Sequence, residues 1–263
     1  MPLLKKSDFQ DALTNVRKVL QPTPLISAKP LSHNSNSNIF FKNEFLNPTG
    51  SFKVRGAYNK LCRLSPQERS KGVVAVSTGN HGRAVAHMSQ HFDIKAKVFV
   101  STAVPEFKLN ALKEAGADLK VTGKSYDEAA KAAFKCVEDT GAQLIHPFDD
   151  PFVIGGQGTI GLEILEQCPE AETVVVPLSG GGLIAGIAGA IKYIKPNCRI
   201  IAISPSKGAA MFESLKSNRP VEVPEVESLA DSLQGGIGLN NKWSFPMVKE
   251  WVDEHIQVTE KEI

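Results

Sequence analysis

The chain has 263 residues, 42% of them hydrophobic, with 30 basic against 28 acidic side chains and a formal charge of +2. That is enough apolar material for one large α/β domain or two modest ones. The charge balance is too even for a nucleic-acid groove or a membrane-attracted face, so the expected ligand is a small molecule.

No apolar run approaches the roughly 20 residues that span a bilayer, and the two lysines near Met1 are not followed by an apolar stretch. Nothing directs export, and a cytoplasmic location is expected. Cys62, Cys136, Cys168 and Cys198 are far apart and form no C-x-x-C pair, which suits free thiols in a reducing compartment better than a zinc or redox motif.

In chain order, Ser7 and Gln10 read as a capping box, and Phe9, Leu13, Val16 and Leu20 at helical spacing predict a helix that Pro22 and Pro24 end. Residues 24–26 read as a short extended piece, 32–38 as a polar loop and 39–42 as a strand. Strands are then predicted over 73–77, 96–100, 118–121, 143–146, 173–177, 199–204 and 256–258. Helices are predicted over 84–92, 106–115, 126–140, 158–167, 182–194, 209–215 and 246–255. Buried-type strands alternating with helices call for parallel sheets covered on both faces. Residues 147–151 and Gly155-Gly156-Gln157-Gly158 read as the passage between two lobes.

Three stretches carry chemistry. In Asn47-Pro48-Thr49-Gly50-Ser51-Phe52-Lys53-Val54-Arg55-Gly56-Ala57, a single lysine stands among small and hydroxyl residues at a strand-to-helix junction. A lysine that sheds its proton in a partly desolvated pocket can form an imine with an aldehyde cofactor; the alternative is a solvated lysine in a first helical turn. Ser77-Thr78-Gly79-Asn80-His81-Gly82 puts hydroxyls, a carboxamide and backbone N–H groups at a helix start, which suits a carboxylate or a phenolic oxygen, or simply an N-capped turn. Leu178-Ser179-Gly180-Gly181-Gly182-Leu183-Ile184-Ala185 follows an apolar strand and opens an apolar helix, where glycine N–H groups can hold a phosphate. Gly180, Gly182 and Ala185 fit G-x-G-x-x-A, yet the next strand ends without the acidic residue that a dinucleotide site places about 20 positions on. Phosphate is the better reading.

Together and in this order, these stretches resemble the fold-type II pyridoxal-phosphate enzymes of the threonine dehydratase and serine racemase group. Gly155-Gly156-Gln157-Gly158-Thr159 and Leu229-Ala230-Asp231-Ser232 fall where that group has related signatures. The resemblance implies a two-lobed α/β fold of the tryptophan synthase β type. The large lobe would comprise 1–48 and 147–263 and bind the cofactor, and the small lobe, 49–146, would bind substrate. It implies pyridoxal 5'-phosphate bound covalently to Lys53, which also moves the Cα proton. Phe52 would pack beside the ring, Asn80 would bond its phenolic oxygen, and Ser179, Gly180, Gly181, Gly182 and Leu183 would hold the phosphate. Ser77, Thr78 and His81, with Asn80, would surround the substrate carboxylate. The implied reaction is loss of water and ammonia from a β-hydroxy amino acid to give a 2-oxo acid, in a homodimer with no nucleic-acid or membrane partner.

Departures from the group sharpen the expectations. Thr78 stands where racemases carry a serine as the opposite-face acid or base; as a catalytic residue its hydroxyl can still donate, but its extra methyl narrows that face, so elimination is expected to dominate over racemisation. Ser204-Pro205-Ser206-Lys207-Gly208-Ala209-Ala210 offers no carboxylate where metal-binding members place acidic residues, so no metal is expected there. Ser179, Ser232 and Ser-Thr-Gly-Asn-His-Gly-Arg look closest to the hydroxyectoine-utilisation dehydratases. Residues 258–263 resemble the point where the family starts a further stretch, which implies a fragment or a shortened form. A β-replacement enzyme of the cysteine synthase type and a catalytically silent binding homologue are the competing readings.

Overall fold

Val73-Val74-Ala75-Val76 is buried along its whole length, as a strand covered on both faces must be, and it lies inside a parallel sheet. The structure is a computed structural model that describes residues 3–35 and 37–263. In chain order it comprises α1 (Lys6–Val16), β1 (Leu25–Ser27), α2 (Lys29–Ser35), β2 (Phe40–Lys42), α3 (Lys53–Cys62), α4 (Pro66–Lys71), β3 (Val73–Val76), α5 (Asn80–Ser89), β4 (Ala96–Val100) and α6 (Glu106–Glu114). It continues with β5 (Asp118–Val121), α7 (Tyr126–Thr140), β6 (Gln143–Leu144), α8 (Pro151–Gln167), β7 (Thr173–Pro177), α9 (Gly182–Lys192), β8 (Arg199–Pro205), α10 (Ala210–Lys216), α11 (Ser244–Trp251) and β9 (Glu254–Val258).

The strands form two parallel sheets, ordered β5-β4-β3-β6 and β7-β8-β9, and an antiparallel ribbon of β1 and β2. Register follows burial: Ala75 opposes Val98 in the first sheet, and Ala202 opposes Val176 in the second. β7 is an outer strand of the second sheet, with Val175 58% exposed. Each sheet has its own apolar core. Ile154, Ile160, Ile184, Ile191, Ile200 and Met247 gather around the second, and Leu61, Val73, Met88, Val98, Leu112 and Ile145 around the first. α1 and α8 serve both cores, through Phe9 and Val16 and through Ile154 and Val153. The parallel sheets under helices expected from the alternating pattern are present.

Three local expectations are corrected and one helix is added. Residues 155–158 are not a passage between lobes but lie inside α8. Asp150 starts that helix earlier, accepting hydrogen bonds from the Phe152 and Val153 N–H groups at 2.8 and 3.0 Å, with Pro151 in the first helical position. The glycines serve helix contact: a methyl group at Gly156 would lie 2.6 Å from both the Arg55 carbonyl oxygen and Gly56 Cα. The expected loop after β1 is instead largely the helix α2, in which Pro30 occupies a first-turn position whose N–H has no intrahelical acceptor anyway. α1 is capped not by Ser7 and Gln10 but by Asp8, whose carboxylate accepts the Lys5 N–H at 2.7 Å. Finally, α4 is an additional helix, announced by Ser65-Pro66-Gln67-Glu68: the Ser65 hydroxyl and Glu68 carboxylate accept each other's backbone N–H at 3.2 and 2.7 Å.

Candidate active site

Lys53 opens α3 directly after a tight turn in which Gly50 takes φ +73°. Two hydroxyls of that turn, Thr49 Oγ1 and Ser51 Oγ, are buried without a hydrogen-bond partner among the described residues. The Lys53 amine donates to the Pro147 carbonyl at 2.8 Å and lies 5.3 Å from the centre of the Phe52 ring, which packs against the core of the second sheet. Burial pushes its pKa down from 10.5 to about 8. A far larger fraction than in an ordinary lysine is thus the neutral, nucleophilic amine near physiological pH.

The helix is held rigidly from the other side. Arg55 is fully buried and donates to Glu44 at 2.7 and 2.8 Å, to Glu163 at 2.5 and 2.9 Å, and to the Thr159 hydroxyl at 3.1 Å. Lys42 adds a 2.6 Å bond to the same Glu163. Burial alone would raise the Glu163 pKa, but the bonds from Arg55 and Lys42 outweigh it and hold the carboxyl below its ordinary range.

β3 delivers Ser77, Thr78 and Gly79 to the start of α5, all three half-buried. Ser77 Oγ accepts the Gly79 N–H at 3.3 Å, and the first bond of the helix runs from Arg83 N–H to the Gly79 carbonyl. The N–H groups of Asn80, His81 and Gly82 therefore have no intrahelical acceptor. A methyl group added at Gly79 would meet nothing within 4 Å, so this turn borders open space. The buried His81 ring donates from Nε2 to the Ile145 carbonyl at 2.7 Å. Burial and then the charge of Lys53 push its pKa to about 3. His146, also lowered chiefly by burial, feels the Lys53 charge as well, which places the amine near both rings.

The third stretch joins β7 to α9 through Leu178-Ser179-Gly180-Gly181, with Gly181 at φ +86°. Ala185 N–H bonds the Gly181 carbonyl, leaving those of Gly182, Leu183 and Ile184 without intrahelical acceptors. A side chain at Gly180 would overlap the Phe148 ring, and one at Gly182 would stand 2.7 Å from the Phe148 carbonyl oxygen. The glycine turn thus lies against the same segment, Pro147-Phe148, that receives the Lys53 amine. All three stretches chosen from the sequence border segment 145–148, His81 through Ile145, Lys53 through Pro147 and the glycine turn through Phe148.

Residues 147–151 were read from sequence only as a connection and His146 as the end of a strand, and the part of segment 146–150 in the site was missed. Each residue in it is committed. His146 Nδ1 accepts the Asp149 N–H at 2.8 Å, and its ring stands edge-on to Phe148 with centres 4.7 Å apart. Asp150 caps α8 and pairs with Lys60 at 2.6 Å. The Asp-Pro pair at 150–151 is the signal that could have exposed it.

These residues fit an aldehyde cofactor with a phosphate and a ring hydroxyl: a buried amine of lowered pKa, two helix starts with unpaired N–H groups, and buried hydroxyls beside the lysine. Known proteins agree. The model of the family described as "Pyridoxal-phosphate dependent enzyme" matches residues 16–263. A Sinorhizobium fredii protein named provisionally as a threonine dehydratase is 43% identical over 260 residues, covering 99% of this chain and 78% of its own. An L-threonine ammonia-lyase of Thermotoga maritima is 41% identical over 261 residues, with this chain spanning 65% of its length. Maize serine racemase superposes with a TM-score of 0.93 at 33% identity, covering 99% of this chain and 78% of its own. The chain belongs to the pyridoxal-phosphate dependent enzymes, in the threonine dehydratase and serine racemase group.

Proposed function

We propose that this chain is an ammonia-lyase that takes water and ammonia from a β-hydroxy amino acid, threonine, serine or a related compound, and yields a 2-oxo acid. The observation that carries the reading is the Lys53 amine, lowered to a pKa of about 8 and bonded to Pro147 beside the glycine turn. When bound, pyridoxal phosphate supplies an electron sink for negative charge at the substrate Cα. Lys53 holds the cofactor and moves the Cα proton. Ser179, Gly180, Gly181, Gly182 and Leu183 hold the phosphate, Asn80 meets the ring oxygen and Phe52 flanks the ring.

The substrate carboxylate is taken by the start of α5, with Ser77 and Thr78. His81 contributes its backbone N–H there, because its ring is neutral at pH 7 and its Nε2 proton is engaged with Ile145. The Thr78 methyl narrows the face opposite Lys53 and favours elimination over racemisation. A hydroxy amino acid of hydroxyectoine breakdown belongs to the same substrate class. Two cores support division into a lobe of 1–48 with 147–263 and a lobe of 49–146, with Val16, Leu20 and Val153 of the first packing into the core of the second. The exposed side chains of Ile26, Phe40, Phe41, Phe45 and Leu46 support a homodimer. No helix among the described residues is long and apolar enough to cross a membrane, in keeping with cytoplasmic work.

The test is 2-oxo acid release from L-threonine and L-serine by protein loaded with pyridoxal phosphate. Formation that disappears in Lys53→Ala is expected, with D-serine appearing more slowly than pyruvate. A Lys53-dependent visible band without 2-oxo acid, or thioether and thiol products only when sulfide is added, would overturn the elimination reading.

A further inference from the structure

Asp149 performs a task that the expected reaction does not assign. Its carboxylate accepts three consecutive backbone N–H groups, those of Lys242 at 2.8 Å, Trp243 at 2.7 Å and Ser244 at 2.9 Å, where α11 begins. A carboxylate at a helix start gains from both the unpaired N–H groups and the favourable end of the helix dipole. α11 in turn touches the glycine turn: Ser244 Oγ donates to the Gly180 carbonyl at 2.7 Å, and a methyl group at Gly181 would lie 3.1 Å from Val248. Asn241 closes the loop, accepting the Phe245 N–H at 2.8 Å and donating to Ser244 Oγ at 2.8 Å.

The glycine turn is therefore gripped from two sides, by Phe148 on one and by Ser244 and Val248 on the other. Asp149 is the residue that joins the two jaws, being the chain neighbour of Phe148 and the acceptor for Ser244. Two residues earlier, Pro147 receives the Lys53 amine. A single carboxylate thus links the segment that receives the lysine to the helix that touches the glycine turn.

We propose that Asp149 is a positioning residue which, by binding the start of α11, sets the distance and orientation between Lys53 and the Ser179–Leu183 turn. The inference rests on the reading that this turn holds the cofactor phosphate. Proximity arguments explain its weight: binding at two fixed points is strong only while their separation matches the ligand.

The experiment uses the whole chain as wild type, Asp149→Asn, Asp149→Ala and Ser244→Ala. Each is measured for pyridoxal-phosphate dissociation constant, for amide hydrogen exchange of the apo protein, and for the pH midpoint of Lys53 labelling by an amine reagent followed by peptide mapping. Asp149→Ala is expected to weaken cofactor binding at least tenfold, to speed exchange in both 179–184 and 241–246, and to raise the Lys53 midpoint from about 8 towards 10.5 as the loosened segment admits water to the buried amine. Simple removal of a negative charge would move that midpoint the other way.

Asp149→Asn, which keeps an oxygen acceptor, is expected to lie between Asp149→Ala and wild type, and it reports if Asp149→Ala does not fold. Ser244→Ala is expected to weaken cofactor binding and leave the Lys53 midpoint in place. Faster exchange confined to 241–246, with cofactor affinity and Lys53 midpoint as in wild type, would overturn the proposal. A wild-type chain that fails to bind pyridoxal phosphate would refute the underlying cofactor reading instead, while the exchange and labelling results still decide the role of Asp149.

Discussion

Arg55 and Glu163, on α3 and α8, meet through two hydrogen bonds of 2.5 and 2.9 Å at a place with no solvent access. Lys53 is two residues from Arg55 on the same helix. Removing one partner of a buried pair leaves the other charge uncompensated, at a cost of about 3 to 5 kcal/mol. Glu163→Gln is expected to lower unfolding stability by an amount in that range, since both Arg55 and Lys42 lose a charged acceptor. The exposed pair Arg17–Glu166, which joins the end of α1 to α8, is expected to contribute under about 1 kcal/mol. Urea denaturation of Glu163→Gln and Glu166→Gln side by side checks the contrast.

Two glycines are expected to behave oppositely when changed to alanine. Gly156→Ala places a methyl group 2.6 Å from backbone atoms of α3 that cannot rotate away, and a loss of about 1 to 3 kcal/mol or more should follow. Gly79→Ala meets nothing within 4 Å and has an ordinary negative φ of −138°. Its melting temperature should stay within a degree or two of wild type, about the effect of 0.5 kcal/mol, while affinity for cofactor or substrate drops. Calorimetry on the two apo variants and cofactor titration of Gly79→Ala separate folding from binding.

Lys53 should cost the apo protein stability at neutral pH. Its folded-state pKa of about 8 lies below the ordinary 10.5, so the unfolded chain binds more protons between those values and stability rises with pH across that window. Below pH 8 the penalty is fully present. Lys53→Met is therefore expected to melt a few degrees above wild type at pH 7, where about 1 kcal/mol corresponds to 2–4 °C in a domain of this size. The difference should shrink as pH rises from 8 to 10.5. Melting curves of both apo proteins across that range give the sign.

His81 gives an acid-side counterpart. With a folded pKa of about 3 against 6.5, the native state resists protonation, so this group erodes stability as pH falls from 6.5 towards 3. His81→Asn should be less stable than wild type at pH 7, where the bond to Ile145 is altered, and the gap should narrow steadily down to about pH 4. Denaturant midpoints at several acidic pH values test this.

Sequence patterns found what depends on local chemistry. The runs Val73-Val74-Ala75-Val76 and Thr173-Val174-Val175-Val176-Pro177 read as strands because apolar side chains there have to be covered. Lys53 and the glycine turns stood out because their residue types suit strand-to-helix junctions. What depends on distant partners was not legible. The glycines at 155–158 looked like a passage between lobes because nothing nearby in the chain reveals that α3 presses against them. α11 was expected to begin at 246, but the carboxylate that sets its start at Ser244 belongs to Asp149, 95 positions away. Arg55 likewise drew notice only as a motif neighbour, since its acceptors lie 11 and 108 positions off.

The outer strand β7 has a consequence for handling the protein. Its backbone groups facing away from β8 have no neighbouring strand among the described residues, and three consecutive valines, Val174 to Val176, line it with Val175 turned outward. Such a border can template extended segments of other molecules into a growing stack. Val175→Lys places a charge on the template. Light scattering during prolonged incubation at 37 °C should show slower particle growth for this variant, with an unchanged melting temperature; equal growth would mean that clumping starts elsewhere.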